Sequence, residues 1–336
     1  MSGSLFAATG AETDDILFRM LSGYPRNWNA GSSVEQGVWI DLFDPTDEEK
    51  AAIEQTFGLR VPTREELSEI ETTSRLRTER EALYMSAPLI SVAENGPWSP
   101  APTGFVLSKK ALVTVHFDKL APLEAVAQKL DAGEKIEPVE IFTRILEELV
   151  DAAADHLELS AERLNKTSGI IFRDGQPRPS RLSHDTDLLR TAMTQIGRAS
   201  ERIAHVQYTL TSLDRISKFT ADHCRDWIAG SVIERLQAVR TDIASLVQFD
   251  ESLLSRVQLL QDAATAIISI GQNEVMKVLT VASVAGVPPV LIAGIYGMNF
   301  KNMPELNWPW GYAFALALIV LSTIIPLIWF KWQDWI

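Results

Sequence analysis

Two apolar segments near the C-terminus are the clearest pattern in this chain. Residues 278–295 and 311–330 contain no charged side chain over 18 and 20 positions. An α-helix rises 1.5 Å per residue, so about 20 residues cross a hydrocarbon core of roughly 30 Å. The stretch between the segments is too short for a domain. The pattern predicts two membrane-spanning helices joined as a hairpin with the polar turn Gly297-Met298-Asn299 at its tip, which suggests a pore.

A heptad pattern precedes the first span. Apolar residues alternate at spacings of four and three, and Asp250 takes one of the slots. No glycine or proline interrupts residues 231–270, so a helix of about 100 Å over 231–295 is predicted. We expect copies of the chain or close neighbouring helices to pack along this seam. Because so long a helix needs partners, we infer a homo-oligomer. The seam consists of Val232, Leu236, Val239, Ile243, Leu246, Leu253, Val257, Leu260, Ala264 and Ile267.

The first 135 residues combine strand and helix patterns and predict an α/β domain. Thr46 and Glu49 have the spacing of a capping box, which marks the start of a helix. Alternating and β-branched stretches predict strands, and a proline-rich stretch predicts a loop over 95–102. The predicted strands cover residues 38–42, 82–93, 105–107 and 111–117.

Residues 136–227 change to helical periodicity and predict helices over 138–172 and 181–227. The first of them carries an acidic stripe along one face. Two interpretations stay open, a solvated helix face or a surface that concentrates cations. The acidic stripe consists of Glu147, Glu148, Asp151, Asp155, Glu158 and Glu162.

Charge and cysteine content narrow the functional class. The net charge is −13, which argues against nucleic acid as a partner and suits a surface that attracts cations. The single Cys224 suits a reducing cytoplasm, and residues 1–15 do not resemble a signal peptide. No catalytic triad, phosphate-binding loop or spaced cysteine pair is recognisable. We therefore expect neither an enzyme nor a bound cofactor.

Cations flank the two spans unequally. Lys277 ends the polar stretch before the first span, and Lys331 follows the second. The intervening loop has one cation, Lys301, and one acid, Glu305. The positive-inside rule therefore places both termini in the cytoplasm.

One face of the first span has an unusual composition. An amide lies at one end, apolar residues in the middle and small residues at the other end, which suggests the lining of a pore. Ordinary helix packing through small residues is the alternative. This pore face consists of Asn273, Met276, Leu279, Ser283, Val287, Val290 and Gly294.

The residues at the hairpin tip resemble those of the CorA-type metal ion transporters. The similarity lies in Tyr-Gly-Met-Asn-Phe over 296–300 with Met-Pro-Glu-Leu over 303–306. It extends upstream through 273–280 and 292–295, and more loosely to 39–49 and 112–116. The five-residue motif stands in the hairpin that the family requires, which makes the match specific.

The resemblance implies a funnel-shaped homopentamer with an α+β cytoplasmic domain. Gly297, Met298 and Asn299 would form the outer selectivity filter, and Gly294 a second constriction. Leu279 and Val287 would be hydrophobic gates. The family usually has Met and Thr where this chain has Val287 and Val290. The implied segments are the α/β domain 1–135, helical hairpin 136–227, stalk helix 228–277, pore-lining span 278–296, external loop 297–310, outer span 311–331 and cytoplasmic tail 332–336.

The resemblance also implies regulation by a metal held between subunits. Asp262 matches the family position of such a ligand, with a partner near Glu94. Asp250, within the seam, is a second candidate. Mg²⁺ would then be both the transported ion and the regulatory ligand.

The resulting hypothesis is a divalent-cation channel of the inner membrane that passes hydrated Mg²⁺, with Co²⁺ or Ni²⁺ as similar ions. The first alternative is a ZntB-like Zn²⁺ transporter, although the loop over 301–306 favours the CorA branch. An alternative of another class is a membrane-anchored coiled-coil sensor or scaffold without a pore. Lipid and further copies of the chain are the other expected partners.

Overall fold

The structure is a computed structural model that describes residues 18–21, 38–69, 71, 75–91, 99–130, 136–172, 182–299, 303–304, 308–333 and 335. The chain forms two compact units. One combines Met1–Ser168 with Thr194–Leu259, and the other combines Gly169–Met193 with Leu260–Ile336. The long helices contribute residues to both units.

The first unit contains a six-stranded mixed sheet in the order β1-β2-β6-β5-β4-β3. β1 and β6 pair with β2 in parallel, whereas β6, β5, β4 and β3 pair antiparallel. The predicted strands correspond to β2, β4, the end of β5, and β6, whereas β1 and β3 were not predicted. The strands are β1 Phe18–Leu21, β2 Val38–Phe43, β3 Leu76–Glu79, β4 Ala82–Ser91, β5 Ser99–Leu107 and β6 Ala111–His116.

Helices cover both faces of the sheet. On one face, helices α1 (Asp47–Phe57) and α2 (Arg64–Ser68) pack on a cluster that includes Ile40 and Val113. The approach is close, because a Cβ added to Gly104 in β5 would lie 2.7 Å from Leu67. Both helices begin with complete capping boxes, so the box predicted from Thr46 and Glu49 is confirmed.

The other face of the sheet contacts longer helices. Phe105 of β5 meets Phe142 edge to face at 5.4 Å, and the Thr209 hydroxyl donates to the Pro88 carbonyl of β4 at 2.7 Å. The helical periodicity of the sequence is confirmed here. The remaining helices are α3 Ala121–Lys129, α4 Pro138–Ile171, α5 Leu182–His223, α6 Gly230–Tyr296 and α7 Gly311–Trp332.

The predicted loop over 95–102 is wrong at its end. β5 already begins at Ser99 and includes Pro100 and Pro102, which pair in register with Ile90 and Pro88 of β4. Pairing of β5 with β6 starts only at Gly104. The proline nitrogens therefore need no acceptor on that side, which is how proline is accommodated at a sheet edge.

The apolar seam of α6 is already covered within a single chain. Leu236, Val239, Ile243 and Leu253 are already buried within one chain. α6 is tied to α4 by the bidentate pair of Arg235 with Glu147, and to α5 by Arg240 with Asp214. Of the two partners expected for the seam, the structure therefore shows neighbouring helices of the same chain at these positions rather than other copies.

A buried polar network joins the parallel strands β2 and β6. The His116 Nε2 lies 3.1 Å from Oδ1 of Asp41, and its Nδ1 donates to the Asp118 carbonyl oxygen at 2.7 Å. Both partners are acceptors, so the geometry suits a charged imidazolium. The Thr114 hydroxyl donates to Asp41 and accepts from the Trp39 indole at 3.0 Å. Asp41 and His116 are almost fully buried.

The His116 pair predicts a pH-dependent stability. Burial opposes the charged ring, but the hydrogen bond and charge of Asp41 outweigh it and raise the pKa of His116 above its usual value. The contribution is fully present below the unfolded pKa of about 6.5 and is lost as pH rises through the higher folded pKa. His116→Ala also leaves the buried Asp41 without its charged partner, so we expect a loss of about 3–5 kcal/mol of unfolding free energy at pH 6.

Denaturant unfolding of the full chain in detergent between pH 6 and 9 measures this effect. The matched control is His223→Ala, because His223 is exposed and its Nδ1 contacts only a carbonyl of its own helix within the described residues. Equal losses in the two variants would show that the buried pair is not stabilising.

Candidate functional site

The two predicted spans are helical. α6 and α7 are the two helices in the described residues that are long and apolar enough to cross a membrane. α6 runs for 67 residues through Pro288 and Pro289. Each proline lacks an N–H, so two helical hydrogen bonds are absent at this point. Both spans lie in the second unit.

The turn after α6 has the geometry of a tight helix end. Gly297 N–H donates to the Ala293 carbonyl at 2.9 Å, and Met298 N–H to that of Ile295 at 3.2 Å. A Cβ on Gly297 would lie 3.2 Å from the Ala293 carbonyl oxygen. Glycine therefore permits this close approach, and the Met298 and Asn299 side chains are exposed beyond the last turn.

Every residue of the pore face is exposed in the single chain. Val287 and Val290 are 63% and 72% exposed, although both are apolar. Ser283 is exposed too, but its hydroxyl donates to the Leu279 carbonyl at 2.8 Å and so leaves no unpaired donor. Val281 and Ala285, on the opposite side of the helix, are buried. Over the described span 278–295 these two are the buried residues, and Val278, Val284 and Leu291, which lie off the pore face, are exposed as well. Most of the span therefore has no partner within the chain.

Aromatic residues mark both ends of the hairpin. Trp308, Trp310 and Tyr312 lie where α7 begins, and Trp329 and Trp332 where it ends, and all of them are exposed. Tryptophan and tyrosine are enriched at membrane–water interfaces. The nine tryptophans of the sequence could have indicated these interfaces, but the prediction of the spans rested on hydropathy alone.

The acidic stripe is partly neutralised within the chain. Glu147 binds Arg235, Glu148 binds Lys129, and Glu162 lies 2.6 Å from Lys166. Burial, and next the charge of Glu148, raise the pKa of Asp151. These pairs favour a solvated, internally paired face over an open cation-concentrating surface.

The two regulatory candidates differ in exposure. Asp262 is exposed, whereas Asp250 is completely buried in its own chain. A carboxylate buried in this way does not offer its oxygens to a neighbouring subunit, so Asp250 does not suit a shared metal. Glu94 lies outside the described residues. Within the part of the chain that the structure describes, no three His, Cys, Asp or Glu residues form a metal-binding group.

Asp250 instead lowers the stability of the folded chain. Neither carboxylate oxygen has a hydrogen-bond partner among the described residues. Burial, with a smaller effect of Glu251, raises the pKa of Asp250 to about 7. The folded chain therefore favours the protonated acid, and its stability falls as pH rises from the unfolded value near 4 to about 7.

Replacing Asp250 should therefore stabilise the protein at alkaline pH. Asp250→Leu continues the apolar seam, and we expect it to raise the unfolding free energy at pH 8 by about 1–3 kcal/mol. Below pH 4 the gain should shrink, because the carboxyl is then neutral in both the folded and the unfolded chain. Denaturant unfolding at both pH values measures the change. Asp242→Asn, an exposed acid eight residues earlier, is the control, and an equal gain there would contradict the assignment.

The thiol of Cys224 does not suit a metal site. Cys224 is completely buried, and burial raises the pKa of its thiol to about 12. Metal binding requires the thiolate.

Comparison with known proteins agrees with this arrangement. Residues 34–331 match the family described as CorA-like Mg²⁺ transporter protein. The magnesium transport protein CorA of Wolinella succinogenes is 31% identical over 310 residues, covering 90% of this chain and 92% of the relative. The protein of that name from Salmonella typhimurium is 26% identical over 306 residues, covering 90% and 93%.

Solved structures share the fold. The complete CorA magnesium transporter of Methanocaldococcus jannaschii superposes with a TM-score of 0.69 at 20% identity, covering 89% of this chain and 91% of that one. The full-length CmaX protein gives 0.63 at 19% identity, covering 88% of both chains. The family match spans both the α/β unit and the two apolar helices, and the chain therefore belongs to the CorA-like Mg²⁺ transporter family.

Proposed function

We propose that this protein passes hydrated Mg²⁺ through a pore lined by the pore face of α6 from several copies of the chain. The observation that carries the proposal is the exposed apolar pore face, which ends in the Gly297-Met298-Asn299 turn. Relatives over about 90% of the chain are named magnesium transport proteins, which supports Mg²⁺ as the ion.

Asn299 suits the first contact with the hydrated ion. Mg²⁺ gives up its water reluctantly, so a filter that binds the intact hydration shell avoids the cost of dehydration. The amide oxygen of Asn299 accepts hydrogen bonds from metal-bound water without adding charge. The pore face contains no carboxylate, which keeps binding weak enough for release.

The middle of the pore face supports control of flow. Leu279 and Val287 project apolar side chains that are more than half exposed in the single chain. In a ring of copies these side chains would form narrow apolar constrictions, which block ions by excluding water. Asn273 would place an amide ring beyond them.

Oligomerisation follows from the same exposure. In an isolated chain the pore face would leave a long apolar stripe uncovered on one side of α6. α7 would face lipid on another side. The family resemblance supports five copies. With the seam buried inside each chain, the contacts between copies must come from other surfaces of α6.

The distribution of charge supports a location in the inner membrane with both termini in the cytoplasm. Lys277 and Lys331 lie at one end of the hairpin, and the aromatic residues flank both ends. Co²⁺, Ni²⁺ and Zn²⁺ would compete as ions of similar charge, and the relatives favour Mg²⁺ over the Zn²⁺ alternative.

The filter proposal predicts the effect of one substitution. Asn299→Ala should reduce Mg²⁺ uptake into liposomes to the level of protein-free liposomes, because the amide that binds the hydration shell is removed. The oligomer should stay intact, since Asn299 is exposed and lies outside the packed side of α6. Uptake with a Mg²⁺-sensitive dye, repeated with Zn²⁺, and light scattering measure the two properties.

Gln333→Ala is the matched control, an exposed amide at the opposite end of the hairpin. Uptake by Asn299→Ala at the unmutated rate would place the filter elsewhere. Zn²⁺ uptake that exceeds Mg²⁺ uptake in the unmutated protein would favour the ZntB-like alternative.

Asp262 supports a proposal for regulation. It is an exposed acid on α6, at the position that the family resemblance assigns to a metal shared by neighbouring subunits. If Mg²⁺ bound there favours one state of the oligomer, ligand binding shifts the population by its differential affinity.

Asp262→Asn should reduce the protection that Mg²⁺ gives the full-length oligomer against limited proteolysis. Glu251→Gln, another exposed acid on α6, should keep that protection. Unchanged protection in Asp262→Asn would make this residue an ordinary solvated acid.

A further inference from the structure

The chain turns back on itself after α7. Gln333 N–H donates to the carbonyl oxygens of Trp329 and Phe330 at 3.2 Å, and Trp335 N–H donates to that of Phe330 at 3.0 Å. These bonds stop the helix and reverse the tail within three residues. The tail therefore lies against the end of α7 rather than extending away from it.

The reversal places Trp335 on a packed surface. Its ring stacks on Phe330 with centroids 5.4 Å apart and planes inclined by 26°. Phe330 is the single residue of α7 that is buried. Trp335 is 41% exposed, whereas Trp332, three residues earlier, is 89% exposed and makes no ring contact within the described residues.

Trp335 also meets the base of the first span. The Lys277 Nζ lies 6.0 Å from the centroid of the Trp335 ring, within the range of a cation–π contact. Lys277 directly follows Met276 of the pore face, but it is rotated about 100° from it around the helix, toward the side that carries Val281 and Ala285. The contact joins the first turn of one span to the tail of the other.

We infer that Trp335 is a positioning residue that holds the Lys277 ammonium beside α7 and away from the ion path. The inference rests on the proposed function, because it gives Lys277 a place at the cytoplasmic mouth of the pore. In an oligomer each copy contributes one such ammonium. Ammonium groups released toward the axis would raise the free energy of a divalent cation there and slow its passage.

The first test asks whether the contact exists and does not require transport. Full-length protein in detergent is treated with an amine-reactive reagent, and labelling of Lys277 is followed by mass spectrometry. We expect Trp335→Ala to label Lys277 about twofold to fivefold faster than the unmutated protein. Trp332→Ala is the matched control and should label at the unmutated rate. Equal labelling in all three proteins overturns the inference.

The second test asks what the contact does. In liposomes, Trp335→Ala should take up Mg²⁺ at least about twofold more slowly, and higher monovalent salt should reduce the defect because salt screens charge. Trp335→Phe retains a ring and should transport normally. Adding Lys277→Met to Trp335→Ala should restore uptake, since the released charge is gone.

A slow Trp335→Ala that Lys277→Met does not restore overturns the electrostatic role, as does a Trp335→Ala variant that transports at the unmutated rate. If the unmutated protein takes up no Mg²⁺, the proposed function fails, while the labelling experiment still decides whether Trp335 shields Lys277.

Discussion

The backbone hydrogen-bond ladder of α6 is the element on which the rest of the structure depends. It continues for 67 residues and passes through two different environments. In the first unit its apolar seam is buried, and ion pairs of Arg235 and Arg240 attach it to α4 and α5. In the second unit the packed side carries Val281 and Ala285, and the pore face is left exposed. One helix therefore contributes a domain core along one part and an unpartnered apolar face along another.

Two buried acids, Asp41 and Asp250, differ in whether the fold supplies them with partners. Asp41 has a charged partner in His116 and a hydroxyl donor in Thr114, so its removal from water is compensated. Asp250 has no partner among the described residues and interrupts an otherwise apolar seam. The first acid ties neighbouring parallel strands to each other, whereas the second weakens helix packing at neutral pH. Both sites lower the stability of the folded chain as pH rises, the first because His116 loses its charge and the second because Asp250 gains one.

Much of the fold was predictable because local patterns specify it. Periodicity located four of the six strands and the long helices but missed the short β1 and β3, and the Thr46 capping box appeared where its spacing required. The partner of the seam was not predictable, because heptad spacing fixes the apolar side of a helix but not which helix covers it. The start of β5 was missed for a similar reason, since proline signals a loop unless the neighbouring edge is known to be unpaired. The reversal of the tail onto Lys277 depends on contacts between segments far apart in sequence, which periodicity does not report.

The length of α6 makes the adjacent prolines at 288 and 289 important for how the helix bends. A rod of about 100 Å acts as a lever, so a tilt of about one degree at one end displaces the other by almost 2 Å. The two missing hydrogen bonds lie beside Val287, where the rod bends most easily. Stiffness along most of the helix and compliance at these prolines would therefore concentrate any bending of α6 within its membrane-spanning part.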